Sequence, residues 1–200
     1  GGITFACAAP EGTLMQGFGA NMARFYGMPS RGGGCQTDAP VINCQAGYES
    51  MLTFSSAYRH GINLVMEAGG VMDSVNATSF DKMVIDFEIM RQVKFAFTPI
   101  EVNEETLNLE EIKEVGHDGS FVDADYTLDN FMDLYAPRVG SRSAKGADYF
   151  WDSVDAETNR LLKYHETHRP QLDEEIKNRV KAVLAKSGLE EQYFANIENM

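Results

Sequence analysis

Positive charge is scarce in this sequence: 17 Lys+Arg stand against 30 Asp+Glu in 200 residues, a formal net charge of −13. Such a chain repels phosphate backbones and anionic lipid, so sequence-independent nucleic-acid binding and attachment to a membrane surface are not expected. Long apolar runs are missing as well. None approaches the roughly 18 residues that a transmembrane helix needs, and no signal peptide opens the chain. Cysteine is limited to Cys7, Cys35 and Cys44, an odd number without Cys-x-x-Cys spacing. That reads as reduced thiols in a cytoplasmic protein. Neither G-x-G-x-x-G nor G-x-x-x-x-G-K-[ST] occurs, and no Ser/His/Asp or Cys/His arrangement can be assembled. There is no initiator Met, and Gly1-Gly2 run at once into the apolar stretch Ile3–Ala8. We read the chain as the C-terminal part of a longer protein.

What is present is a globular composition, 44% apolar and 24% charged, long enough to bury a core without disulfides or a metal. Two regions differ in chemistry. Up to Met66 the only acidic residues are Glu11, Asp38 and Glu49, and thirteen of the eighteen glycines fall in the first seventy residues. Close backbone packing suits the first region, and helices with one solvated face suit the acidic remainder.

Periodicity predicts strands over 3–8, 31–35 and 62–66, with helices over 11–26, 45–59 and 79–97 between and after them. The first helix carries Leu14, Phe18, Met22 and Phe25 as its apolar stripe, with Gly27 as C-cap. The second is apolar over much of its circumference. Ser79 caps the third, whose stripe is Met83, Phe87, Met90, Val93 and Phe97. Alternating strands and helices with short glycine turns imply parallel strands and an α/β fold, either doubly wound or part of a (β/α)8 barrel. Beyond residue 100 only helices are expected: one from Asn103 to Gly116, one capped by Thr127, two over 155–168 and 170–186, and a last one after Gly188. Asp173–Lys177 and Glu175–Arg179 mark a solvated face on the fourth of these.

In such folds functional groups gather at the C-terminal ends of strands. Glu11, the run Gln36-Thr37-Asp38, and Glu67 follow the three strands, while Gln45, Tyr48 and Glu49 open the second helix. Capping and helix-dipole roles compete for Glu11, Asp38 and Glu49. The runs Gly32-Gly33-Gly34 and Ala68-Gly69-Gly70 suit close packing better than a phosphate cradle. His165-Glu166-Thr167-His168 is not H-E-x-x-H and fits a solvated helix face better than a metal site.

In order along the chain, Ala9-Pro10-Glu11, Ala23–Gly33, Thr37-Asp38-Ala39, Gln45–Met51, Gly61–Leu64, Ala68-Gly69-Gly70, Ile85–Ile89, Glu114–His117, Gly119-Ser120-Phe121 and Tyr126-Thr127-Leu128 resemble the trimethylamine methyltransferase family of corrinoid-dependent enzymes. The resemblance thins after about residue 145. It implies the C-terminal portion of a (β/α)8 TIM-type barrel, with 1–100 as barrel strands and helices and 101–200 as a helical extension. The implied reaction moves a methyl group from trimethylamine, or from a quaternary amine such as glycine betaine, to the cobalt(I) of a corrinoid carried by a small partner protein. No metal bound directly by this chain is implied, and a homo-oligomer is expected. None of the eight lysines precedes Lys82 and only standard residues appear, whereas the archaeal trimethylamine branch carries pyrrolysine: either the chain is of the branch that lacks it, or that residue lies upstream, or it is written as another residue. The candidate catalytic set is Glu11, Asp38, Gln45 and Glu49. Phe5, Tyr48, Phe54, Glu67, His117 and Phe121 form the candidate substrate set, its aromatics suited to a trimethylammonium group that has no N–H to donate. A non-catalytic barrel-type binding protein and a phosphate-binding α/β enzyme are the alternatives.

Overall fold

Proline at the start of a helix loses nothing by lacking an N–H, and its fixed φ suits the first turn. Pro10 opens α1 (Pro10–Phe25) in this way in the computed structural model, which describes residues 6–141, 146, 148–170, 172–186 and 188. Gly27, at φ 67°, closes the helix as expected, donating to the Arg24 carbonyl while Met28 donates to Ala23. Of the expected first strand, Ile3–Phe5 lie outside the described residues, and Cys7 and Ala8 form a turn.

β1 (Arg31–Gly33) and β2 (Leu64–Met66) pair in parallel, Arg31 opposite Leu64 and Gly33 opposite Met66. Between them runs α2 (Cys44–Arg59), whose N-cap Asn43 accepts the Ala46 N–H. This is the βαβ unit that the alternation predicts. Helices cover one face of the pair: the Cβ direction of Gly32 points at Gln16 of α1, and Val65, opposite Gly32, packs against the core. On the other face Leu64 and Met66 are 55% and 40% exposed. The second edge of β1 is closed by a side chain, the Gln16 amide donating to the Gly33 carbonyl and accepting its N–H at 3.1 and 3.2 Å.

A small antiparallel hairpin that the sequence pattern did not reveal follows β2. Its strands β3 (Val71–Met72) and β4 (Ala77–Thr78) flank a tight turn at Asp73–Val75. Ser79 then caps α3 (Phe80–Ala96), accepting the Lys82 N–H. The core gathers Cys35, Phe54, Val84, Ile85, Ile89 and Val93, with Val139 and Val154.

The buried helix faces differ from the apolar stripes. Leu14, Phe18 and Phe25 of α1 are exposed, and the helix packs through Gly17 and Ala20. A Cβ on Gly17 would stand 2.7 Å from the His60 ring, so only glycine admits this approach. On α2 the buried side is polar, with Glu49, Ser50, Thr53 and Ser56, while Tyr48 and Leu52 face outward. On α3 Lys82, Asp86 and Glu88 are buried beside Val84, Ile85 and Ile89, and Phe87 stays exposed. Helices that pack on strand-end loops bury the polar groups that satisfy loop backbone, and apolar periodicity does not register these.

No strand follows Thr78 among the described residues. The helix expected from Asn103 splits at Asn108, φ 41°, into α4 (Glu104–Leu107) and α5 (Leu109–Val115). Asn103 and Thr106 form a reciprocal capping box, and Gly116 ends α5. α6 (Asp125–Asn130) begins at Asp125, so Thr127 lies inside it rather than at its cap. α7 (Tyr149–His168) starts earlier than expected, and α8 (Glu174–Lys186) starts later. The chain divides into two compact units, 1–158 and 159–200. In the second, Lys177 is buried and pairs with Glu174 at 3.0 Å rather than with Asp173, and Tyr164 stacks on His168. The helix expected after Gly188 lies outside the described residues. No described helix is long and apolar enough to cross a membrane.

Candidate active site at the strand ends

Glu49 sits in the second turn of α2, only 9% exposed, and aims back at the loop that follows β1. Its Oε2 accepts the Thr37 hydroxyl at 2.6 Å and the Asp38 N–H at 2.9 Å, and its Oε1 accepts the Gln45 amide at 2.8 Å. Three donors on one buried carboxylate satisfy a charge that burial would otherwise penalise. Asp38 extends the network. Its Oδ2 accepts the Ala8 N–H at 3.2 Å and its Oδ1 accepts the Ser74 hydroxyl at 2.7 Å. One carboxylate therefore ties together the turn before α1, the loop after β1 and the hairpin after β2.

That hairpin is clamped onto the same loop through its backbone, Asp73 donating to Ala39 at 3.0 Å and Ser74 to Thr37 at 3.2 Å. Its turn is strained: Asp73, Ser74 and Val75 have φ of 52°, 51° and 74°. Left-handed backbone costs a non-glycine residue of order 1 kcal/mol or more, and a β-branched one the most. Glu67, directly after β2, is also left-handed at φ 46° and pairs with Arg31 at 3.0 Å. With Arg31 60% exposed, this ion pair stabilises by at most about 1 kcal/mol. Cys7 stands next to Ala8, whose N–H Asp38 accepts. Its thiol pKa is raised by burial first, and then by the charges of Asp38 and Glu67.

The structure thus brings together Asp38, Gln45 and Glu49, with Glu67 close enough to act on the same thiol as Asp38. Glu11 is exposed in the first turn of α1 and joins none of these hydrogen bonds. Tyr48, adjacent to Glu49, is 60% exposed. Phe54 packs in the core, 6.3 Å from the Tyr58 ring. His117 and Phe121 lie on the loop after α5, both exposed. Phe5 lies outside the described residues.

Sequence reasoning missed Ser74, which stands in a hairpin too short to leave a periodic signal. It also missed a fully buried ion pair. Lys82 Nζ lies 2.5 and 2.6 Å from the Asp86 carboxylate oxygens, 2.8 Å from the Ser50 hydroxyl and 3.5 Å from the Cys35 carbonyl. Asp86 Oδ2 also accepts the Gly70 N–H at 2.8 Å, and neither charged side chain is exposed. Burial pushes the Asp86 carboxyl pKa up, and Lys82 opposes that shift. An i,i+4 Lys–Asp pair ordinarily marks a solvated face, so its sequence signature pointed the wrong way. Here it binds the end of β1 to the Gly69-Gly70 turn. A Cβ on Gly34 would stand 2.5 Å from the Ala68 Cα, so the glycines at these strand ends serve close packing.

The family profile described as trimethylamine methyltransferase (MTTB) matches residues 1–190. The chain belongs to the trimethylamine methyltransferase family. Glycine betaine methyltransferase of Desulfitobacterium hafniense strain Y51 is 31% identical over 197 residues, which is 94% of this chain and 40% of that protein. Trimethylamine methyltransferase MttB of Methanosarcina barkeri strain Fusaro is 30% identical over 190 residues, 92% of this chain and 38% of that protein. MttB of Methanosarcina thermophila is 35% identical over 119 residues, 60% of this chain and 24% of that protein. The chain spans two fifths or less of the length of these trimethylamine methyltransferase relatives.

Proposed function

We propose that this chain contributes strand-end loops to the active site of a methyltransferase that demethylates a methylated amine. The acceptor is the cobalt(I) of a corrinoid brought by a separate small protein. The observation that carries this reading is the family match over residues 1–190. The structure adds a parallel strand pair with helices on one face and exposed Leu64 and Met66 on the other. A sheet face left uncovered in this way suits the interior of a (β/α)8 barrel, to which the described residues supply two parallel strands.

In the reaction the carbon–nitrogen bonding pair stays on the amine. The cobalt(I) electron pair forms the new bond to carbon, so the acceptor ends as methylcobalt(III) and the amine leaves with one methyl fewer. Positive charge on nitrogen vanishes as the methyl departs. A carboxylate pressed against the ammonium group would favour the ground state over the transition state. Asp38 and Glu49 fit this requirement because their oxygens are taken up by loop donors. They hold the rim in shape, and aromatic side chains such as Tyr48 face the cation. Arg31 and Glu67 stand on the uncovered sheet face, where a guanidinium suits the carboxylate of a betaine. The acidic surface docks the corrinoid protein over the barrel mouth, with charge acting on the association rate.

The test uses the full-length protein with reduced cobalamin and, separately, trimethylamine, glycine betaine and other quaternary amines. Appearance of the amine lacking one methyl, followed by NMR, is the expected result for at least one of them. Absence of demethylated product with all of them removes the proposal.

A further inference from the structure

Ser74 belongs to no sequence motif, yet the turn that carries it is held in an unfavourable backbone. Three consecutive residues other than glycine, Asp73, Ser74 and Val75, occupy the left-handed region. A strained turn persists only where its surroundings over-determine it, and strain of this kind concentrates at functional sites. What holds this turn is visible. Its two backbone N–H groups reach the loop after β1, and the Ser74 hydroxyl donates to Asp38 Oδ1 at 2.7 Å. Of these contacts, only the hydroxyl acts on a charged side chain. Among the described residues the Asp38 carboxylate has one other donor, the Ala8 N–H on its second oxygen, and could turn about that bond.

We propose that Ser74 is a positioning residue for methyl transfer, fixing the Asp38 carboxylate and through it the loop that carries Thr37 and meets Glu49. This rests on the reading that the loop after β1 belongs to the methyl-transfer site. The left-handed turn is the structural means: with Ser74 at φ 51°, ψ 44° the short hydroxyl reaches Asp38 from the hairpin. A relaxed turn would carry Ser74 away and leave one carboxylate oxygen without its donor.

Two substitutions separate positioning from support of the fold. Ser74→Gly removes the hydroxyl while relieving the backbone, because glycine adopts this conformation freely. Ser74→Asn also tolerates the left-handed region, and its amide keeps a donor for Asp38. Methyl transfer from trimethylamine and glycine betaine to reduced cobalamin is measured in the full-length protein with thermal melting alongside. The expected result for Ser74→Gly is a kcat lower by about ten-fold, as for loss of one hydrogen bond to a charged group, with KM within about two-fold and a melting temperature equal to or above wild type. Ser74→Asn is expected to recover most of the loss. Wild-type kcat in folded Ser74→Gly overturns the proposal. So does a loss that Ser74→Asn fails to rescue, or one that tracks a fall in melting temperature. A wild-type protein inactive with every methylated amine sinks the site reading and this proposal together, whereas an active wild type with an indifferent Ser74→Gly sinks this proposal alone.

Discussion

Removing the amine of Lys82 strands a charge in the interior. Asp86 would keep the Gly70 N–H at 2.8 Å but lose its contacts at 2.5 and 2.6 Å to Lys82, in a place where neither side chain is exposed. Breaking a buried pair in this way costs about 3–5 kcal/mol, because the remaining group must be desolvated without its partner or take up a proton. Lys82→Met keeps the volume and discards the charge. The expected outcome is a loss of about 3–5 kcal/mol in denaturant unfolding of the full-length protein, large against the stability of a domain. Asp86→Leu should cost a similar amount, since Lys82 would keep only Ser50 and the Cys35 carbonyl. The double variant Lys82→Met/Asp86→Leu is expected to cost less than the sum of the singles by about 1–3 kcal/mol, the coupling of residues in contact. The single-variant losses should shrink below about pH 4: the raised Asp86 pKa favours the protonated form in the native state, so the native carboxyl is neutral there and Lys82→Met strands no charge. A Lys82→Met protein destabilised by less than about 1 kcal/mol at pH 7, or strictly additive singles, would show that the two side chains do not depend on each other for their burial.

Asp38→Asn keeps an acceptor for the Ala8 N–H but replaces the charge-assisted hydrogen bond from Ser74 with a neutral one, so methyl transfer is expected to fall by about ten-fold with little change in melting temperature. Near wild-type turnover removes Asp38 from the site. The same substitution should make Cys7 react faster with a thiol reagent near pH 8, since one of the charges that raise its pKa is gone. An unchanged rate would separate Cys7 from Asp38. Among the wild-type thiols, exposed Cys44 is expected to react first and buried Cys35 only on unfolding, as read by labelling and mass spectrometry. Glu49→Ala leaves the Thr37 hydroxyl, the Asp38 N–H and the Gln45 amide without their acceptor, and should cost about 1–3 kcal/mol or more in denaturant unfolding.

Helix existence was legible where caps and breaks are local chemistry. Gly27, Ser79, Asn103 and Gly116 all mark helix ends in the structure. Helix faces were not, because each helix buries what its neighbours require. Gly17 lets α1 approach His60, Glu49 serves loop donors, and Lys82 and Asp86 hold the strand-end turns. Of the site, Asp38, Gln45 and Glu49 could be picked out as rare polar residues in a nearly uncharged stretch, and the structure joins them in one network. Ser74 and the Arg31–Glu67 pair depend on a hairpin and a strand register that no periodicity encodes. Glu11, picked out because it follows an apolar run, stands in the exposed first turn of α1, outside that network.

The proposed passage of a methyl group from nitrogen to cobalt can be followed directly. The measurement supplies the full-length protein with a corrinoid protein in the cobalt(I) state and an amine carrying isotopically labelled methyl groups. The expected result is loss of the cobalt(I) absorption with label appearing on cobalt, at a rate that Asp38→Asn lowers. Label that stays on nitrogen while the corrinoid remains reduced would contradict it.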